Sequence, residues 1–250
     1  MSHATLIHLT ETESTNSYLT ALCNKQSAEE FTCVYADFQI SGRGQRGNSW
    51  ESEAGKNLLF SFVVFPTFLE IRHQFLLSEV TALALYDTLS AYTADISIKW
   101  PNDIYWKDRK LCGTLIENDI TGAHINRSIS GTGINLNQMF FTSDAPNPVS
   151  LQQITGKSYD REIILRQCMK QIISYYKLLH AGKAEEISAE YKEKLYRRNG
   201  FFPYKDTQGT FYARIDNVEP TGKLILTDEE QRRREYLFKE VKFIINEHLL

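Results

Sequence analysis

Residues 58–65, LLFSFVVF, are the longest apolar run in the chain, and they stop at Pro66. The run is far shorter than the roughly 20 residues a membrane-spanning helix needs. Its aromatic and β-branched content fits a buried strand. Such a strand needs neighbours and a core, and 250 residues with 42% hydrophobic content can supply both, in one domain or two. The neighbours can be read from the same signature. Residues 5–9 alternate weakly, 31–38 are rich in aromatic and β-branched types, and 96–100 and 125–136 read likewise as strands. Residues 104–106 and 111–117 read as a hairpin across Lys107-Asp108-Arg109. Helical spacing follows Ser14-Thr15-Asn16, whose oxygens suit an N-cap, and recurs over 68–92, 160–180 and 185–196. The pattern predicts a mixed α/β chain.

After Arg197-Arg198-Asn199-Gly200 the character changes. Residues 209–218, 223–227 and 235–245 read as short strands, with Pro220-Thr221-Gly222 as a turn. A boundary near 195–202 therefore divides a domain of residues 1–197 from a C-terminal all-β module of residues 198–250, the size of a tiny barrel or sandwich.

The bulk numbers exclude several classes. Against 28 basic residues stand 31 acidic ones, a net charge of −3, so nothing global favours nucleic acid or an anionic membrane. The N-terminus shows no secretory pattern. The four cysteines form no Cys-x-x-Cys pair and the six histidines no metal-binding pair, so reduced thiols and no protein-built metal site are expected. The setting expected is cytoplasmic. Arg232-Arg233-Arg234 reads as a solvated hairpin turn rather than an RNA contact.

Three segments carry chemistry. Residues 39–57 form a long loop with four glycines, and loops of that length inside a compact domain are commonly functional. Within it, Gly42-Arg43-Gly44-Gln45-Arg46-Gly47-Asn48-Ser49-Trp50 lets backbone N–H groups approach a ligand, while its arginines suit carboxylate or phosphate. Second, Lys99-Trp100-Pro101-Asn102-Asp103 combines an extended Trp-Pro step with a tight turn. Lys110 opens the returning strand, where it can deliver a compact charge to an oxygen that becomes negative. Third, Gly131-Thr132-Gly133-Ile134-Asn135 places glycines inside a strand, the mark of a bulge or a close approach. No helix follows it, so it is not a dinucleotide fingerprint.

Together these segments resemble the biotin–protein ligases. The matching elements are Ser14-Thr15-Asn16, Gln39 with residues 42–50, Lys-Trp-Pro-Asn-Asp at 99–103, Arg109-Lys110-Leu111-x-Gly113, and Gly131-x-Gly133-Ile134-Asn135, in the family's order over about residues 5–140. The resemblance implies a mixed-sheet catalytic domain of the class II aminoacyl-tRNA-synthetase-like, biotin–lipoate ligase type. The C-terminal module then resembles the small Src-homology-3-like β-barrel of these ligases. Biotin, ATP and ATP-bound Mg2+ are the implied small molecules, and a biotin carboxyl carrier domain the implied partner. The resemblance adds no nucleic acid and no membrane, and is compatible with a homodimer. The chain opens at the catalytic domain, so a DNA-binding segment is not expected.

The resemblance also implies roles. Ser14, Thr15, Asn16 and Gln39 meet the biotin head group, Arg43, Gly44 and Gln45 lie along biotin and the acyl-phosphate, and Lys110 touches both the biotin carboxyl and the α-phosphate. Trp50, Lys99, Asn102, Gly131 and Asn135 fall to the nucleotide. Lys110, Arg43 and Asp103 are the implied catalytic groups, with Asp103 near the incoming lysine or a magnesium ion. Gln45 stands where many members carry arginine and Asn48 where a basic residue is frequent, which implies faster loss of the adenylate. The nearest rival is a lipoate or octanoyl transfer enzyme of the same fold, but that class lacks Lys-Trp-Pro-Asn-Asp.

Overall fold

The computed structural model describes residues 4–44, 49–142 and 147–245. The apolar run becomes β3 (Leu58–Val64), buried at every position. It is the third strand of a seven-stranded sheet. On one side lie β2 (Thr32–Gln39) and, at the edge, β1 (Thr5–Thr12). On the other follow β7 (His124–Ile134), β6 (Arg109–Thr121), β5 (Asp103–Trp106) and β4 (Ile96–Lys99). β1 and β2 are parallel and the remaining neighbours antiparallel, so the sheet is mixed. A parallel pair requires a crossover, and α1 (Thr15–Asn24) supplies it.

Alternation sorts the strands onto two faces. One face sends Cys33, Phe60 and Phe62 into the main core, beneath α2 (Phe75–Ser90), α4 (Arg161–His180) and α5 (Ala184–Glu193). The other sends Val34, Val63 and Ile129 against Leu19 of α1. α2 is buried at twelve of its sixteen positions because it is enclosed between sheet and helices. It therefore lacks the polar stripe that marks a helix start, and it begins at Phe75 after a 3-10 turn at Ile71–His73, not at residue 68. α3 (Leu151–Thr155) escapes the periodicity reading because it is a single turn. A capping box fixes it, with Gln153 N donating to Ser150 Oγ at 3.2 Å, and left-handed Gly156 closes it. All four cysteines are free, three of them buried.

The C-terminal module is a five-stranded antiparallel sheet ordered β11–β10–β9–β8–β12. Its strands are β8 (Phe202–Asp206), β9 (Gly209–Val218), β10 (Leu224–Asp228), β11 (Arg233–Tyr236) and β12 (Lys242–Phe243). The stretch 235–245 is thus two strands with a loop between them. The basic run is neutralised in place. Arg232 pairs with Asp228 and Glu230, Arg233 with Glu219 and Glu235, and Arg234 with Asp206 and Asp228. Trp100 joins the sheets, its indole Nε1 donating to Gly222 O at 3.0 Å. No described helix is long and apolar enough to cross a membrane.

One buried charge lies in the helical layer. Glu79 of α2 is 1% exposed and accepts a 2.6 Å bond from Ser188 of α5. Burial pushes its pKa from 4.5 up to about 7, against the Ser188 bond and the nearby Lys192 charge. The unfolded chain therefore ionises first, and stability falls as pH rises from about 4.5 through 7. Glu79→Gln removes that loss. Its thermal midpoint should match wild type near pH 4 and exceed it at pH 8, by the equivalent of about 3 kcal/mol. Equal midpoints at pH 8 would refute the assignment.

Candidate active site

Three glycines make a hollow in the sheet. β3, β7 and β6 pair so that Ser61, Gly131 and Leu115 form one cross-strand row, and Leu59, Gly133 and Gly113 the next. All face the α1 side, and the missing side chains leave room above the strands. A methyl on Gly131 would overlap Asn16 Oδ1 and come within 2.8 Å of Asn16 Cγ. One on Gly133 would lie 2.7 Å from Trp50 Cζ2 and Nε1. The close approach expected from glycines within a strand is present at both positions. Above the hollow opens a cavity of about 680 Å³.

The N-terminus of α1 forms its neutral end. Ser14 is the N-cap residue, yet its side chain makes no capping bond. Gln39, at the end of β2, does so instead, its Oε1 accepting from Thr15 N at 2.8 Å and Thr15 Oγ1 at 3.1 Å. Ser61 Oγ lies 2.7 Å from Thr15 Oγ1 and 2.5 Å from Asn16 Oδ1. Asn16 Nδ2 in turn donates to Glu117 Oε2 at 2.7 Å. Thr15, Asn16 and Ser61 are almost wholly buried, so this network is held rather than solvated.

The other end is cationic. Lys110 Nζ donates to Asp103 Oδ2 at 2.8 Å and stands 5.7 Å from the centre of the Trp50 ring. The Asp103–Lys99 pair closes the β4–β5 hairpin. Lys99 lies over Phe243 at 4.7 Å and Tyr105 at 5.5 Å. Its lost hydration lowers its pKa, while the Asp103 charge opposes the shift. Arg43 spans the mouth, donating from Nη2 to Ser17 Oγ and Glu117 Oε2, each at 3.3 Å. The loop bearing it closes on itself through Trp50 N to Gly42 O at 2.9 Å and an Arg43–Ser49 bridge. The Trp50 indole N–H is buried without a partner among the described residues. With Lys239 the lining holds four cations against Glu51 and Asp103. That balance favours an anion.

Ser14, Thr15, Asn16, Gln39, Arg43, Gly44, Trp50, Lys99, Asp103, Lys110, Gly131 and Asn135 thus line one cavity, although they are scattered over more than a hundred residues of chain. Asn102 does not. It is buried in the turn between β4 and β5. Asn135 lines the cavity but spends its amide on the fold, Nδ2 donating to Val149 O at 3.2 Å. Gln45 lies outside the described residues, as do Arg46 and Asn48. Sequence reasoning missed Ser61, Glu117, Phe238 and Lys239. Ser61 had a signal, being the one polar residue of an apolar strand. The other three have none, because register and the packing of the C-terminal module bring them here. Among the described residues no three His, Cys, Asp or Glu side chains cluster to hold a metal.

Comparison with known proteins shows the family. Residues 9–135 match the model of the biotin/lipoate A/B protein ligase family. The biotin–[acetyl-CoA-carboxylase] ligase of Paracoccus denitrificans is 35% identical over 164 residues, covering 63% of this chain and 67% of that protein. The bifunctional ligase/repressor BirA of Bacillus spizizenii is 26% identical over 233 residues, and the chain spans just under two thirds of it, 66%. Among solved structures, the biotin protein ligase of Aquifex aeolicus in complex with biotin and ATP superposes with a TM-score of 0.80 at 27% identity, covering 97% of this chain and all of that one. The chain belongs to the biotin/lipoate A/B protein ligase family.

Proposed function

We propose that this protein is an ATP-dependent ligase that activates biotin as biotinyl-5′-AMP and transfers the biotinyl group to a specific lysine of a biotin carboxyl carrier domain, that of acetyl-CoA carboxylase or a related carboxylase. The observation that carries this reading is the polarity of the cavity. A neutral hydrogen-bonding end at Ser14, Thr15, Asn16 and Gln39 is joined across a glycine floor to a cationic end at Arg43, Lys99 and Lys110. Biotin has the same polarity, with a ureido ring at one end and a carboxylate at the other.

A carboxylate is a poor electrophile, so the first step converts it to a mixed anhydride. A carboxylate oxygen attacks the α-phosphorus of ATP and pyrophosphate leaves. The carrier lysine, as the free amine, then attacks the acyl carbon, AMP leaves, and the nitrogen loses a proton. Lys110 serves both steps by offsetting charge first on the α-phosphate and then on the tetrahedral oxygen. Arg43 and Gly44 hold the acyl-phosphate region. Trp50, Lys99 and the backbone at Gly131 serve the nucleotide side, while Asn135 acts by fastening the Val149 backbone and Asn102 by its place in the β4–β5 turn. Mg2+ is commonly held by one or two carboxylates plus substrate phosphates, and the lining fits that mode. Asp103 is the carboxylate placed either for that ion or for the incoming lysine. The rest of the catalysis is positioning.

The family also contains lipoate ligases, so substrate choice is the test. Pyrophosphate exchange into ATP should depend on biotin and be unaffected by lipoate at equal concentration. Exchange driven by lipoate, with none driven by biotin, would overturn the reading.

A further inference from the structure

The site contains one carboxylate that touches two of its ligand-facing groups without lining the cavity itself. Glu117 of β6 accepts from Asn16 Nδ2 at 2.7 Å and from Arg43 Nη2 at 3.3 Å. On the opposite side of the same amide, Ser61 Oγ stands 2.5 Å from Asn16 Oδ1. Below it Gly131 leaves just enough room for the amide to lie against β7. An asparagine amide is nearly symmetric in shape, and its two ends differ only in that one accepts and the other donates. Here Glu117 can only accept, so it forces the NH2 toward itself and the carbonyl toward Ser61. A carboxylate–amide bond is charge-assisted and stronger than a neutral one.

We infer that Glu117 is a positioning residue for ligand recognition, fixing which way the Asn16 amide faces and tethering Arg43 at the cavity mouth until an anionic ligand draws it in. The inference rests on the biotin-ligase reading above. Glu117 acts through Asn16 at the head-group end and through Arg43 at the acyl-phosphate end, so one side chain couples the two ends of the cavity. Without the carboxylate the amide can turn over, presenting a donor where the head group needs an acceptor. Glutamine at this position keeps an acceptor for Asn16 Nδ2, whereas alanine does not.

The test is direct biotin binding by calorimetry to the whole protein, with no turnover required. Wild type must bind biotin, and absence of binding would refute the ligase reading itself. Given binding, Glu117→Ala should raise the Kd for biotin about tenfold, and Glu117→Gln should recover most of that loss. The double variant with Asn16→Ala should lose less than the product of the two single losses, because Glu117 acts in part through Asn16. Thermal midpoints of all variants establish that they are folded. A Glu117→Ala protein that binds biotin as wild type does, or losses that multiply in the double variant, would overturn the inference.

Discussion

Replacing Lys110 with alanine should lower biotin-dependent pyrophosphate exchange about a thousandfold, near the upper end of what loss of one charge-stabilising donor costs, while the protein stays folded. The structural role of the side chain is small. Lys110 is 26% exposed and its ion-pair partner Asp103 is 19% exposed, so the pair is partly hydrated. Its backbone does the structural work, donating to Asn147 O at 2.8 Å and accepting from Val149 N at 2.9 Å, and alanine retains both bonds. The ammonium, in contrast, stands against both Trp50 and Asp103 at the charged end of the cavity. Arginine should restore little, since its larger, delocalised guanidinium does not deliver the same compact charge to the reacting oxygens, even where it can stack on Trp50 and pair with Asp103. Exchange in Lys110→Ala within tenfold of wild type, with a normal thermal midpoint, would remove Lys110 from the mechanism.

The second large effect is expected at Gly131. Gly131→Ala should raise the Kd for biotin at least a hundredfold and lower the thermal midpoint, in a protein that still folds. In a strand, alanine is intrinsically preferred to glycine by roughly 0.5–1 kcal/mol, so the backbone itself does not resist the change. The obstacle is Asn16, whose amide occupies the space of the new methyl. That amide has nowhere to retreat, because Ser61 holds its oxygen and Glu117 its nitrogen. The substitution must therefore expel Asn16 from its network or push α1 away from the sheet, and either movement displaces the head-group end. Calorimetric binding of biotin to a folded Gly131→Ala protein with wild-type affinity would show that the glycine floor is not part of the site.

Much of this was legible in the sequence, for identifiable reasons. The strands of the large sheet declared themselves through β-branched and aromatic runs, and the cavity motifs through rare local combinations such as Lys99-Trp100-Pro101-Asn102-Asp103. β8 was hidden because it contains Pro203. The fold tolerates this residue because β12 pairs only with Tyr204 and Lys205, so the absent N–H is not needed in the ladder. The start of α2 was hidden because burial on every side erases the periodicity that marks a boundary. Glu117 lay beyond local reading for another reason. It meets Asn16 across 101 residues of sequence, and only the register of β6 on β7 and the docking of α1 bring them together. The same is true of Phe238 and Lys239, which reach the cavity from the C-terminal module.

On the proposed function, one cavity both activates biotin and delivers it to a carrier lysine. The most direct measurement is the intact mass of an isolated biotin-accepting domain after incubation with this protein, biotin and Mg-ATP. The acceptor should gain one biotinyl group on a single lysine, and none when ATP is omitted or that lysine is replaced by arginine. An acceptor of unchanged mass, or one that gains a biotinyl group without ATP, would contradict the account.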